Sequence, residues 1–405
     1  MQEMRIAINI IRIFVGLLFI FSGLVKANDP LGTAYKMEEY FEVWNRDLAS
    51  GSFFLKNALM NLFHFLNDHT LFLSVTMNAF EIIAGAALLL GWRMKLFSWL
   101  LLLLMIFFTI LTGYTYKTGQ PTNCGCFGDC IKITPQFSFY KDVLLSALIL
   151  IILFTRKYIQ PVFKPALNTA LMLLVTVFSF GLQWYSLRYL PPVDCLPFKQ
   201  GNSIPEKMKI PANAIPDVFE TRLVYKNIRT NEKKKMTQDE FNNSKIWEDS
   251  TWKWDTTFTK LVKKGKNNEA AIKSFSLIGP TIVDTLTGKE TKEVTSSILS
   301  LPRVLLFFNT ELPGSSPSWK NDLLEVYNEA RDKGIPFYFV FPDRDSAISR
   351  YSKFGFANAD GLSLDLTAIR TAARSNQTLY LLEHGNIAGK WSYANLDDAK
   401  KMIVK

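Results

Sequence analysis

Four cysteines are the side chains of this chain best suited to chemistry, and three share one short stretch, Thr122-Asn-Cys-Gly-Cys-Phe-Gly-Asp-Cys130. The fourth is Cys195. A Cys-x-Cys pair such as Cys124 and Cys126 can close a very small, strained disulfide, and strain raises the reduction potential. Exchange with a Cys130/Cys195 pair would let electrons pass through the loop. The alternative is two structural disulfides that staple the loop to the segment around residue 195. Zinc held by the four thiolates is disfavoured, because a one-residue spacing strains tetrahedral ligation. No metal site is expected elsewhere: His64, His69 and His384 show neither metal-ligand spacing nor an evident nucleophile partner.

The second chemically expressive residue is Glu81, inside an apolar run. A carboxylate near the middle of a membrane helix costs roughly 2.5–3.5 kcal/mol on insertion scales, so it requires a partner or a proton. Lys26, Asn78, Lys141 and Asp142 all fall toward the same half of their respective runs and are the candidate partners. Such a cluster beneath the cysteine loop could bind a quinone headgroup or pass a proton; it could equally be an ion pair that locks helices together.

The elements that must position these residues are membrane helices. Of 405 residues, 48% are hydrophobic and 20% charged, and the apolar excess lies before residue 190. Five runs match the length of a bilayer core: Ile8–Val25, Leu71–Leu90, Leu96–Tyr114, Phe139–Phe154 and Ala166–Leu187. The first ends Ser22-Gly-Leu-Val-Lys26 without a small-x-small cleavage pattern, and reads as an uncleaved anchor with Arg12 snorkelling to the interface. Arg93 and Lys95 lie between runs two and three, and Arg156, Lys157 and Lys164 between runs four and five. Basic residues in short loops stay cytoplasmic, which sends the cysteine loop and everything after Leu190 outside, in a bacterium into the disulfide-permissive periplasm. The net charge of +10 is spread over these turns and two lysine clusters with interspersed acids, a pattern of solvated turns that excludes a nucleic-acid partner.

Residues 1–190 thus form a bundle, with short amphipathic helices near 34–66 expected to lie on the outer interface. A proline-rich linker and a small β module should occupy 191–268, with strands at Phe219–Tyr225 and Phe258–Val262 joined through the lysine-rich Lys233-Lys234-Lys235 loop. Trp247, Trp252 and Trp254 are expected in its core and edges. From 269 to 405, strands and helices alternate. Val304–Phe308 and Pro336–Phe341 read as buried strands, Trp319–Asp332 as a helix, and Thr378–Leu382 and Ile387–Trp391 as a hairpin around Glu383-His-Gly-Asn386. Two short helices precede that hairpin, and an amphipathic helix, Leu396–Ile403, follows it.

The first half resembles the DoxX family and its MauE relatives of methylamine utilisation. The resemblance rests on Arg12-Ile-Phe-Val-Gly-Leu-Leu-Phe-Ile-Phe-Ser-Gly-Leu-Val-Lys26, Glu81-Ile-Ile-Ala-Gly-Ala-Ala-Leu-Leu-Leu-Gly91 and Cys124-Gly-Cys-Phe-Gly128. The whole chain looks like the long form found in Bacteroidota, a bundle followed by a periplasmic domain. The resemblance implies a four-helix bundle plus one helix in a family linked to envelope redox and protein maturation. The last third resembles a thioredoxin-like domain. Such domains carry a Cys-x-x-Cys before the helix that follows the central strand, and a cis-proline before the hairpin. The corresponding positions here are Pro313-Gly314-Ser315-Ser316 and Ser375-Asn-Gln377-Thr378, and no cysteine follows Cys195. That domain should therefore bind rather than catalyse.

The expected architecture is a multidomain membrane protein: a DoxX-like helical bundle, a small β module and a thioredoxin-like α/β domain. The expected function is a periplasm-facing thiol-disulfide redox or maturation factor of the inner membrane. The alternative is a non-enzymatic envelope scaffold with structural cysteines. The lipid bilayer and an envelope protein are the expected partners. No cofactor is certain, and quinone is the candidate.

Overall fold

The computed structural model describes residues 2–51, 54–121, 124–263, 265–266, 268–283, 290–314, 317–356 and 360–404. Seven helices and one short strand build the first half: α1 (Gln2–Asn28), α2 (Pro30–Ser50), α3 (Lys56–Asp68), α4 (Thr70–Leu90), α5 (Met94–Thr118), β1 (Cys126–Asp129), α6 (Pro135–Thr155) and α7 (Pro165–Tyr189). Five of them, α1, α4, α5, α6 and α7, are long and apolar enough to cross a membrane, as their sequences predict. Local signals set the boundaries. Asp29 accepts from the Gly32 amide with Pro30 at the first turn of α2, and Thr134 does the same for Phe137 ahead of α6. Gly91 and Gly119 close α4 and α5 in the left-handed conformation.

Helices α1 and α4 meet along glycines. A Cβ on Gly85 would lie 2.7 Å from the Gly16 carbonyl oxygen, so the two backbones approach as only small residues allow. The Val162 amide donates to the Leu90 carbonyl at 3.0 Å, which brings the turn after α4 and the connection between α6 and α7 to one end of the bundle. The basic residues expected in these turns therefore share an end. The segment near 34–66 is helical, but α2 is a full 21 residues and buries Leu31, Ala34, Tyr40 and Phe41, whereas α3 buries none of its side chains.

Residues 202–275 form a compact unit of their own. It contains α8 (Ile204–Lys207), β2 (Val218–Asn227), β3 (Lys233–Thr237), α9 (Gln238–Ser244) and β4 (Trp252–Lys263), with the antiparallel order β3-β2-β4. The lysine cluster expected in a loop is instead strand β3: Lys233, Lys234 and Lys235 pair with Lys226, Tyr225 and Val224. Of the core-and-edge places expected for the tryptophans, the edge holds for Trp252 and Trp254, which lie on the edge strand β4. Val224, Met236 and Ile246 are buried, while Trp247 and Trp254 are exposed.

The last third adds β5 (Ile278–Val283), β6 (Glu290–Glu293), α10 (Thr295–Leu299), β7 (Val304–Asn309), α11 (Lys320–Asp332), β8 (Phe337–Phe341), α12 (Arg344–Ser352), β9 (Asp360–Ser363), α13 (Leu366–Ala372), β10 (Gln377–Glu383), β11 (Asn386–Ser392) and α14 (Leu396–Val404). They form one sheet in the order β11-β10-β7-β8-β9-β5-β6. Strands β7, β8 and β9 run parallel, β10 pairs antiparallel with β7, and β11 pairs antiparallel with β10. The short strand β9, between the two helices that precede the hairpin, has no counterpart in the sequence reading. Every residue of β7 is buried, and Phe307, Phe339, Phe341 and Tyr351 form the centre of an aromatic core with Trp319. His384 and Gly385 both take positive φ (49° and 74°), the signature of the tight hairpin turn expected there. Residues 1–201 and 276–405 pack as one compact unit.

Candidate functional site

The loop between α5 and α6 turns on Gly125 and Gly128, both left-handed, with the Gly128 amide donating to the Gly125 carbonyl at 3.0 Å. A side chain at Gly125 would be strained by the left-handed φ of 69°, and its Cβ, 2.8 Å from Cγ of Lys36, would force that lysine to shift. This tight turn holds Cys124 and Cys126 together as free thiols. Cys124 is buried at 6% exposure, with its Sγ 2.8 Å from Oγ of Ser138 on α6. The Cys126 thiol directed at Cys124 lowers the latter's pKa to about 6, aided by the Ser138 hydrogen bond and the Lys141 charge, while burial opposes. The same contact, together with burial, pushes Cys126 up. One sulfur of the pair is thus poised as a thiolate and the other as its proton-bearing neighbour. Cys130 bonds Cys195 with the Cα atoms 4.9 Å apart, tying the loop to the segment after α7.

Directly against the loop lies the charged cluster. Lys26 on α1 pairs with Glu81 on α4, and both are buried. Ser22 donates to Glu81 Oε2 at 2.9 Å and lies 3.1 Å from the Cys126 carbonyl oxygen, so a single hydroxyl connects the carboxylate to the cysteine loop. On the other side Lys141 pairs with Asp142 at 2.5 Å, and Thr112 donates to Asp142 Oδ2 at 3.0 Å. The two ammonium groups also face aromatic rings, Lys26 over Phe108 and Lys141 over Phe127. Asn78 turns its hydrogen bonds elsewhere: its amide donates to Ser74 and Gln183. The candidate partner of Glu81 that the fold selects is therefore Lys26.

These groups form the polar end of a cavity of about 340 Å³. Ser22, Lys26, Glu81, Lys141, Asp142 and the two free cysteines line that end, and leucines, methionines and aromatic side chains from α1 to α6 line the rest. A second pocket, of only about 10 Å³, is lined by the same two cysteines with Lys36, Asp129 and Lys132.

The sheet of the last third meets the bundle beside this loop through residues that the sequence reading did not single out. Arg374, in the connection between α13 and β10, is 5% exposed and sits between Asp29 at 3.2 Å and Asp129 at 2.5 Å. Arg370 pairs with Glu38 at 2.7 Å and lies over the ring of Tyr35, 4.6 Å from its centroid. Lys390 on β11 pairs with Asp194 at 2.8 Å, one residue before Cys195. Burial lowers the Lys390 pKa, and the Asp194 carboxylate opposes that shift. Asn28 holds residue 193 by two bonds, accepting from its amide at 2.9 Å and donating to its carbonyl at 2.8 Å. The only sequence signal for Arg374 is its place next to Ser375-Asn-Gln377, the stretch compared above with a cis-proline loop.

Among the compared positions, Gln377 opens β10 opposite Asn309, and the only cis peptide among the described residues is Gln120–Pro121. Pro313 accepts from Arg350 at 3.3 Å, and Gly314 is exposed with no atom within 4 Å of where a Cβ would stand. Ser315 and Ser316 lie outside the described residues. Among the described residues no group of three or more His, Cys, Asp or Glu is arranged to hold a metal ion.

Residues 4–155 match the family described as methylamine utilisation protein MauE. The match takes in the first four long helices and the loop from Cys124 to Cys130, and stops before Cys195. No curated protein and no solved structure matches the chain.

Proposed function

We propose that this chain is a MauE-like, periplasm-facing thiol-disulfide redox or maturation factor of the inner membrane. In this reading Cys124 and Cys126 are the exchanging pair, and the last third is a thioredoxin-like client-docking domain without a dithiol of its own. The observation that carries it is the pair itself: two free thiols held side by side by a glycine turn, one lowered to about 6, in the stretch matched to MauE. In the oxidised state a client thiolate attacks one sulfur of a Cys124–Cys126 disulfide and forms a mixed disulfide. A second client thiolate displaces it, leaving a client disulfide and two reduced bundle thiols. The Cys130–Cys195 bond, spanning a sequence separation of 65, acts as the tether of this loop. The chain-entropy contribution of a loop that size is about 4 kcal/mol.

The lysine and arginine content of the two turns at the opposite end supports the periplasmic orientation by the positive-inside rule. The strand order β11-β10-β7-β8-β9, with α11 between two parallel strands and a terminal hairpin and helix, supports the thioredoxin-like reading of the last third. Trapping tests the proposal. With Cys126→Ser the Cys124 thiolate can still attack a client disulfide, the reverse of the step above, and lacks the second sulfur that would expel the client by re-forming the loop disulfide, so an envelope protein should accumulate covalently on Cys124 in intact cells. Capture that persists in Cys124→Ser/Cys126→Ser, or no capture together with an unchanging thiol state across a redox titration, overturns it.

The scaffold reading draws on a different observation, the buried docking of Arg374 between Asp29 and Asp129. It expects partners to co-purify without any covalent intermediate.

A further inference from the structure

The cavity under the thiol pair has the attributes of a ligand site. Its volume of about 340 Å³ lies within the range of small-molecule pockets. Its walls are apolar and aromatic, with Phe41, Trp44, Phe63 and Phe108 among them, and its polar groups gather at one end. Phe107 lines the cavity and is also 44% exposed on α5, a membrane-span candidate, so α5 forms a wall between the cavity and the lipid-facing surface. A ligand entering past that wall would come from the bilayer. Among the polar groups of the cavity's lining are three lysines, Lys26, Lys36 and Lys141, the first paired with Glu81 and the last with Asp142, and two sulfurs. A planar molecule with carbonyl acceptors and an apolar tail satisfies both ends: the carbonyls take the ammonium hydrogen bonds, and the tail lies along the leucines.

We infer that this cavity takes a lipid-soluble quinone that accepts two electrons from Cys124 and Cys126. This rests on the proposed reading of that pair as exchange thiols and supplies the oxidant that reading requires. The step balances. The S–H bond of Cys126 is lost and an S–S bond forms to the Cys124 thiolate; the two electrons convert the quinone carbonyls to quinol hydroxyls, one oxygen taking the Cys126 proton and the other a proton from solvent that replaces the one Cys124 has already released. Lys141 and Asp142, hydrogen-bonded to each other and lining the same end, are the proton carriers closest in kind to the task.

The test uses the full chain, reduced, in lipid nanodiscs under anaerobic conditions, with decylubiquinone as the probe. Quinol formation is read by absorbance and thiol loss by mass tagging of Cys124 and Cys126. The expected result is quinol formed in step with loss of the thiol pair, and none from Cys124→Ser. Leu104→Trp, which fills the cavity from α5, should lose quinone reduction while keeping disulfide exchange with a small peptide disulfide. If that variant fails to assemble, Leu111→Trp replaces it. Exchange with the peptide but no reaction with decylubiquinone overturns this inference and leaves the thiol reading standing. No exchange with either overturns the thiol reading. Quinone reduction that survives an assembled cavity-filling variant removes the cavity as the site.

Discussion

The low pKa of Cys124 has a measurable consequence that follows from one contact. Its largest cause is the hydrogen bond from the Cys126 thiol, so Cys126→Ala should raise the midpoint of Cys124 ionisation from about 6 toward the ordinary thiol value. That ordinary value is about 8.5. At pH 7 a thiol with a pKa near 6 is roughly nine-tenths ionised against about 3% for an ordinary one, an increase of about thirtyfold. Intrinsic nucleophilicity falls in the same direction with a Brønsted slope of about 0.45, which removes about thirteenfold, so the net rate gain is only about twofold. Rate at a single pH is therefore a poor witness, whereas the midpoint is a good one. The assay is alkylation by iodoacetamide from pH 4.5 to 9.5 in nanodiscs, with Cys124 resolved by peptide mass spectrometry. Reactivity should be present above about pH 6 in the parent chain and be lost as pH falls through that value. The linkage has the same sign: the depressed thiol contributes stability that is present above its unfolded value and lost as pH falls through about 6, with the upward shift of Cys126 acting against it at alkaline pH. A parent midpoint near 8.5, or one that Cys126→Ala leaves in place, would refute the shared-proton arrangement.

Three further outcomes follow from the same structure. Arg374→Ala should loosen the last third from the bundle; removing one partner of a buried ion pair costs about 3–5 kcal/mol, and because Asp129 is 36% exposed the lower part of that range is expected, read as a lower melting temperature and new protease cleavage between 190 and 300. Glu81→Leu and Lys26→Met should each destabilise by about 3–5 kcal/mol through the orphaned charge, while the double variant recovers most of it; equal losses in single and double variants, measured by unfolding in mixed micelles, would mean that the pair is not the partnership seen here. Topology reporters fused after Lys95 and after Leu190 should report opposite sides of the membrane, and the same side at both would dissolve the argument for periplasmic cysteines.

The long helices were legible because apolar runs of bilayer length have few alternative readings, and their ends coincide with cap residues such as Asp29, Thr134 and Gly91. The polar site was legible only in outline. Asn78 and Glu81 are three residues apart on α4, close enough in helical angle to suggest one cluster, but α4 is packed by α1 on one side and α7 on another. Spacing alone cannot say which neighbour each faces, and the fold gives Glu81 to Lys26 and Asn78 to Gln183. The lysine run of β3 was hidden for a different reason: its charges point to solvent and its strand exists through backbone pairing with β2, to which side-chain hydropathy is blind.

The docking arginines were the least legible, because their partners lie far away in sequence. Arg374 and Asp129 are 245 positions apart, and nothing local distinguishes Arg374 from a surface arginine in a loop. Their placement bears on the absence of cysteines after Cys195. The connection before β10 carries Arg374 to Asp129, next to Cys130 and three residues from Cys126; in the thioredoxin-like reading proposed above, this is the connection that stands beside the sulfurs of a dithiol domain. Under the function proposed above, the missing dithiol is then replaced in space rather than lost: the domain retains the docking edge, and the bundle loop supplies the sulfurs.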